Sequence, residues 1–126
     1  MDVDFYRIED FDRNGPYRYE CWPRYNEWDK ERHPGPYDDG LGHVYAGEVF
    51  GFQTMEMLRD WFDDEILREL SEHPMCTPWE FRITHYIVDE RQIRHGSKQS
   101  VALQQSLVYA QTIDIAGLLQ KEDAYA

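Results

Sequence analysis

The sequence predicts an α+β fold: one domain over residues 1–126, with a mostly antiparallel sheet packed on one main amphipathic helix at residues 54–72. Three observations lead there. The first is length and composition: 126 residues, 41% of them hydrophobic, with nine Tyr, six Phe and four Trp. That suffices for one core and is too apolar for a disordered chain. The second is a set of short runs rich in β-formers, bounded by Gly, Pro, Asn and Asp. The third is a four-residue apolar repeat in the middle of the chain.

The elements follow in order. Residues 3–9 (VDFYRIE) alternate loosely and read as an opening strand. Residues 12–42 form a long loop rich in aromatics, Pro and Gly: Gly15-Pro16, Pro23, Pro34-Gly35-Pro36 and Asp39-Gly40 are turn signals. A loop of this length in a small domain is expected to serve function, and its aromatics suggest that it packs on the body. A short helix over residues 23–32 fits the pattern. Residues 43–50 (HVYAGEVF) read as a second strand, interrupted by Gly47.

In the main helix, Leu58, Phe62, Ile66 and Leu70 recur every four residues with Met55 and Trp61 beside them, one apolar stripe. Thr54 is placed to cap it, and Pro74 and Pro78 close the segment. Residues 79–88 alternate as a strand, with Phe81, Ile83, His85 and Ile87 on one face and Arg82, Thr84, Tyr86 and Val88 on the other. Residues 99–104 are expected as its partner across a turn at His95-Gly96-Ser97. Residues 106–119 fit either a strand or a helix, and 121–126 a frayed end.

Charge narrows the function. With 25 acidic and 13 basic residues, the formal net charge is −12. Direct binding to nucleic acid needs basic groups that displace phosphate counterions, so such binding is not expected. A basic partner protein is, including one whose own ligand is nucleic acid. The acidity is local: residues 51–75 hold seven acids against two bases. Glu56, Asp60, Asp63, Asp64, Glu65, Glu69 and Glu72 all fall off the apolar stripe. Neighbours on such a row lie about 5–6 Å apart, a spacing on the scale of backbone phosphates. The expected partner-binding residues are Glu56, Asp60, Asp63, Asp64, Glu65 and Glu69, with Tyr25 and Trp28 of the loop as aromatic anchors.

Other chemistry is sparse. There is no phosphate loop, dinucleotide turn, zinc helix or serine elbow. Five histidines are scattered, and Cys21 and Cys76 are far apart, as two thiols in a reducing cytosol would be. No metal site and no catalytic set stands out, which favours a protein without enzymatic activity. No run of about 18 apolar residues is present, so no membrane span is expected. The first ten residues, which include Asp2, Asp4, Glu9 and Asp10, do not read as a secretory signal.

The layout carries a resemblance. Tyr6-Arg7 on an early strand, the aromatic loop, VYAGEVFGFQTMEMLRDWF, a strand and then Gly96 to Gln99 together resemble small acidic proteins carried by phages and prophages, anti-CRISPR proteins among them. The resemblance implies an inhibitor with a nucleic-acid-mimicking surface that blocks a bacterial nucleic-acid-binding complex, such as a CRISPR effector, in the host cytoplasm. The same order is similar, more distantly, to the ADP-ribosyltransferase-like fold. That likeness implies an NAD site in which Arg7 holds the phosphates, Thr54 takes the place of the middle hydroxyl residue and Gln99 falls at the late position. The family has a Glu at that late position, where this chain offers only Gln99 and Gln104, with Glu80 and Glu90 as the nearby acids. An inactive relic is the other form of this alternative.

Overall fold

A computed structural model describes residues 1–16 and 33–125, with side chains through residue 121. Among the described residues, six strands and three helices run in the order β1 (Asp2–Glu9), β2 (Glu48–Gly51), α1 (Met55–Trp61), α2 (Asp64–Glu72), β3 (Arg82–Asp89), β4 (Ile93–His95), β5 (Ser100–Leu103), β6 (Val108–Ile113) and α3 (Ile115–Tyr125). The strands form two antiparallel three-stranded sheets, ordered β1-β3-β6 and β2-β5-β4. The α+β class and antiparallel pairing are as predicted. The expected helix at 23–32 lies outside the described residues.

Strand alternation explains why the first sheet is covered on both faces. Ile8 and Ile83 pair across β1 and β3 and join Leu58, Trp61, Phe62, Ile66, Leu67, Leu70, Ile115 and Leu119 in the larger core. Phe5, Tyr86 and Val88 point the other way and meet Ile93 and Ala102 of the second sheet. The sheets are joined where Tyr6 and Phe52 exchange backbone hydrogen bonds of 2.7 and 2.9 Å. Gly51 permits this approach, because a Cβ there would sit 2.5 Å from the Phe5 ring.

Several expectations are corrected. The single helix over 54–72 is two helices, α1 and α2, broken at Phe62-Asp63. Phe62 is extended (φ −107°, ψ 90°), and Asp63 caps α2 by accepting from the Ile66 amide at 2.9 Å. The acids cause the break. In a continuous helix Asp63, Asp64 and Glu65 would sit mid-helix among like charges. After a break, Asp63 becomes a cap and the other two lie in a first turn, where the helix dipole favours anions. Leu58, Phe62, Ile66 and Leu70 are all buried, as the stripe required.

The second correction concerns residues 99–104. Strand β5 pairs with β4 and β2 rather than with β3. After β3, Asp89 accepts from the Arg91 amide at 2.9 Å and sets a 3-10 turn over Glu90–Gln92, which sends the chain into the other sheet. The turn at 95–97 survives as the β4–β5 connection, closed by Gly96 N to Gln99 O at 2.8 Å. The third concerns residues 79–81, which precede β3: Thr77–Trp79 is a 3-10 turn and Glu80 has φ +52°. The ambiguous stretch 106–119 proves to be strand and then helix. Asp114 separates them by accepting from the Gly117 amide at 2.9 Å in the first turn of α3, and α3 continues through the end that was expected to fray.

One side chain ties the second sheet to the 33–47 loop. Arg94 on β4 donates twice to Glu48 on β2, Nε to Oε2 at 2.9 Å and Nη2 to Oε1 at 2.7 Å. It also donates to the carbonyls of Leu41 (2.7 Å) and His43 (2.8 Å). The Arg94 hydrogen bonds hold the Glu48 carboxyl below the usual range of about 4.3. A lowered folded-state value means stability present above the unfolded value and lost as pH falls through the folded one. The stability gap between the native chain and Glu48→Gln is therefore expected to hold steady from pH 7 to about pH 5 and to close in more acid solution. Urea unfolding at several pH values measures it, and a gap that widens on acidification would contradict the assignment.

Candidate functional site

The acidic row rides on the outer side of α1 and α2. Their inner sides are fixed by Leu58 and Trp61 from α1 and by Ile66, Leu67 and Leu70 from α2, each at most 5% exposed. Glu56, Asp60, Asp64, Glu65 and Glu72 are exposed, whereas Asp63 and Glu69 are half-buried. Asp64 pairs with Arg59 across the helix break. Asp60, Asp63, Glu65 and Glu69 also have partners within the chain. Part of the row is thus engaged within the chain, and Asp63 serves the fold as a cap. Tyr25 and Trp28 lie outside the described residues.

The residues of the NAD alternative are placed as follows. Arg7 and Gln99 line one cavity of about 270 Å³ with Phe52, Trp61 and Phe62. Arg7 is buried: its Nε donates to Glu9 at 3.0 Å, Nη1 to the Phe50 carbonyl and Nη2, at 3.5 Å, to the Arg13 carbonyl. Gln99 is buried too, its amide nitrogen 3.4 Å from the Pro34 carbonyl. Thr54 stands apart from that lining. It caps α1 from an exposed position, its hydroxyl accepting from the Met57 amide at 3.1 Å. Among the described residues no group of His, Cys, Asp and Glu could hold a metal ion. No described helix is long and apolar enough to cross a membrane.

Sequence reading missed a polar assembly on the β1–β3 face. Glu9, at 3% exposure, accepts from Arg7 Nε and from the Tyr86 hydroxyl. Burial, reinforced by that hydrogen bond, raises the Tyr86 pKa, so the phenol keeps the proton it donates. Arg13 Nε donates to the same hydroxyl at 3.2 Å. The available signal was the polar alternation Arg82, Thr84, Tyr86 along one face of β3.

The chain matches the family described as Bacteriophage T4 Y00F protein over residues 1–116, and it belongs to that family. The phage origin implied by the layout of the sequence is therefore shown. No curated protein and no solved structure matches the chain.

Proposed function

We propose that this phage-family protein is a non-enzymatic binding module that covers the basic surface of a host nucleic-acid-binding protein in the host cytoplasm, inhibiting it in the manner of an anti-CRISPR. The observation that carries the reading is the exposure of Glu56, Asp60, Asp64, Glu65 and Glu72 along two helices whose opposite sides are locked in the core. A rigid row of anions on a molecule of net charge −12 speeds encounter with a basic groove and disfavours acidic partners. The loop aromatics Tyr25 and Trp28 are the proposed anchors.

The test is affinity capture from bacterial lysate, followed by salt-dependent binding to the captured nucleic-acid-handling protein. The expected result is affinity that falls as salt rises and that drops on the order of tenfold or more in a Glu56→Lys, Asp60→Lys, Glu65→Lys variant, mainly through slower association. Asp63 is left intact because it caps α2. Binding indifferent to both salt and charge reversal would defeat the proposal.

A second reading, an ADP-ribosyltransferase-like NAD site or its relic, draws support from the shared cavity of Arg7 and Gln99. It requires millimolar NAD to raise the melting temperature, and no shift would remove it.

A further inference from the structure

The face of the first sheet opposite Ile8 and Ile83, which pack on α1 and α2, carries a cleft of different character. Its volume is about 340 Å³, within the range of roughly 300–1,000 Å³ usual for small-ligand sites. Phe11, Arg13, Arg82, Thr84, Tyr86 and Tyr109 are among its lining residues; the carboxylates of Glu9 and Asp10 also line it, both buried and engaged in hydrogen bonds within the chain. Two features set it apart in this acidic chain. Among the described residues, no carboxylate lies within ion-pair distance of Arg13 or Arg82, although acids outnumber bases about two to one. Phe11 and Tyr109, in the same lining, are also left 55% and 61% exposed.

The arginines are positioned from behind. Asp10 Oδ1 accepts from the amides of Asp12 (2.8 Å) and Asn14 (3.0 Å), while Asp10 N donates to Asn14 O at 2.9 Å. This turn holds Arg13 at φ +67°, a left-handed conformation that costs a non-glycine residue on the order of 1 kcal/mol. Its guanidinium lies 5.3 Å from the Tyr86 ring centroid, a cation–π distance. With Nε given to the Tyr86 hydroxyl, both terminal nitrogens remain as donors among the described residues. Arg82 directs Nε and Nη2 to the Glu80 carbonyl, each at 3.2 Å, which leaves Nη1. Guanidinium donors in one cleft suit phosphate oxygens, and exposed rings suit a planar base. The Tyr109 hydroxyl, 2.8 Å from the Thr112 hydroxyl, adds a polar rim.

We infer that this cleft binds a small phosphorylated ligand with a planar ring, of the nucleoside monophosphate class, with Arg13 and Arg82 on the phosphate and Phe11 and Tyr109 on the ring. The site is separate from the helix acids, so it is independent of the proposed partner surface. It also differs in its arginines from the cavity lined by Arg7 and Gln99.

The test is calorimetric titration of the full chain with AMP, adenosine and inorganic phosphate. AMP is expected to bind, with adenosine and phosphate each weaker on the order of tenfold or more. Arg82→Gln, whose native side chain bonds only a backbone carbonyl, is expected to weaken AMP on the order of tenfold while the melting temperature of the free protein is kept. Arg13→Gln is expected to add to that loss, and Tyr109→Ala to weaken AMP and adenosine but not phosphate. The inference is overturned by no heat with millimolar AMP, by AMP affinity unchanged in Arg82→Gln, or by phosphate alone binding as well as AMP. The Glu56→Lys, Asp60→Lys, Glu65→Lys variant should still bind AMP, which keeps the two proposals separable.

Discussion

Glu9→Ala is expected to destabilise the protein by roughly 3–5 kcal/mol, the cost of removing one partner from a buried ion pair, and to lower the melting temperature by on the order of 10–20 °C. The side chains of Arg7 and Glu9 are only 7% and 4% exposed. One Glu9 oxygen accepts from Arg7 and the other from the Tyr86 hydroxyl. Without the carboxylate, the Arg7 guanidinium keeps, among the described residues, the Phe50 and Arg13 carbonyls but no counter-charge within ion-pair distance. The Tyr86 hydroxyl loses its acceptor as well. Two further variants separate charge from packing. Glu9→Gln preserves an acceptor for Tyr86 but not the charge, so it should fall between the native chain and Glu9→Ala. Arg7→Met with Glu9→Leu removes both charges, and should recover much of the loss because no unpaired ion is then buried. Urea unfolding measures all three, and a cost for Glu9→Ala below about 1 kcal/mol would show that water reaches the pair.

The same pair shows what the sequence could and could not disclose. Tyr6-Arg7-Ile8-Glu9 displays its alternation openly, so β1 and its core-facing Ile8 follow from the pattern. That Arg7 and Glu9 are buried depends on Gly51 bringing β2 against β1 and on the Asp10–Asn14 turn folding over them, contacts that no local pattern encodes. The acids on the helices were legible because the apolar stripe leaves them only the outer face. The break at Phe62-Asp63 was written in the run Asp63-Asp64-Glu65, whose first residue is a better cap than an interior residue. The wrong partner for β5 came from the habit of pairing sequence neighbours. A turn of three residues started by Asp89 redirects the chain, and Asp89-Glu90-Arg91 looks in sequence like solvated charge. Arg94 was invisible for a similar reason: its acceptors lie on Leu41, His43 and Glu48, brought to it only by the second sheet. Of the alternative site, the fold unites Arg7 with Gln99 and leaves Thr54 at a helix cap, a division that spacing along the chain cannot reveal.

Gly96→Ala carries the second large effect. The β4–β5 turn wraps around one buried carboxylate. Asp39, 1% exposed, accepts from the amides of Lys98 (2.9 Å) and Gln99 (3.0 Å), and its own carbonyl accepts from Ser97 at 2.9 Å. A Cβ on Gly96 would stand 2.2 Å from Asp39 Oδ2 and 2.8 Å from the Asp39 carbonyl oxygen. The second of these is backbone and cannot swing aside, so relief requires the 33–42 loop to move off the turn. That sacrifices two charge-assisted hydrogen bonds as well as the strain, a combined cost of roughly 3–5 kcal/mol. Asp39→Asn removes the charge without the clash and keeps one accepting oxygen, so about 1–3 kcal/mol is expected from it. Amide hydrogen exchange tells the two apart. In Asp39→Asn one of the Lys98 and Gln99 amides should lose protection, whereas in Gly96→Ala both should, together with the Ser97 amide. Because Gln99 follows directly on this turn, Gly96→Ala should also displace its side chain from the cavity shared with Arg7. If Gly96→Ala unfolds at the native urea concentration, with those amides still protected, then the loop is not anchored on the turn by Asp39.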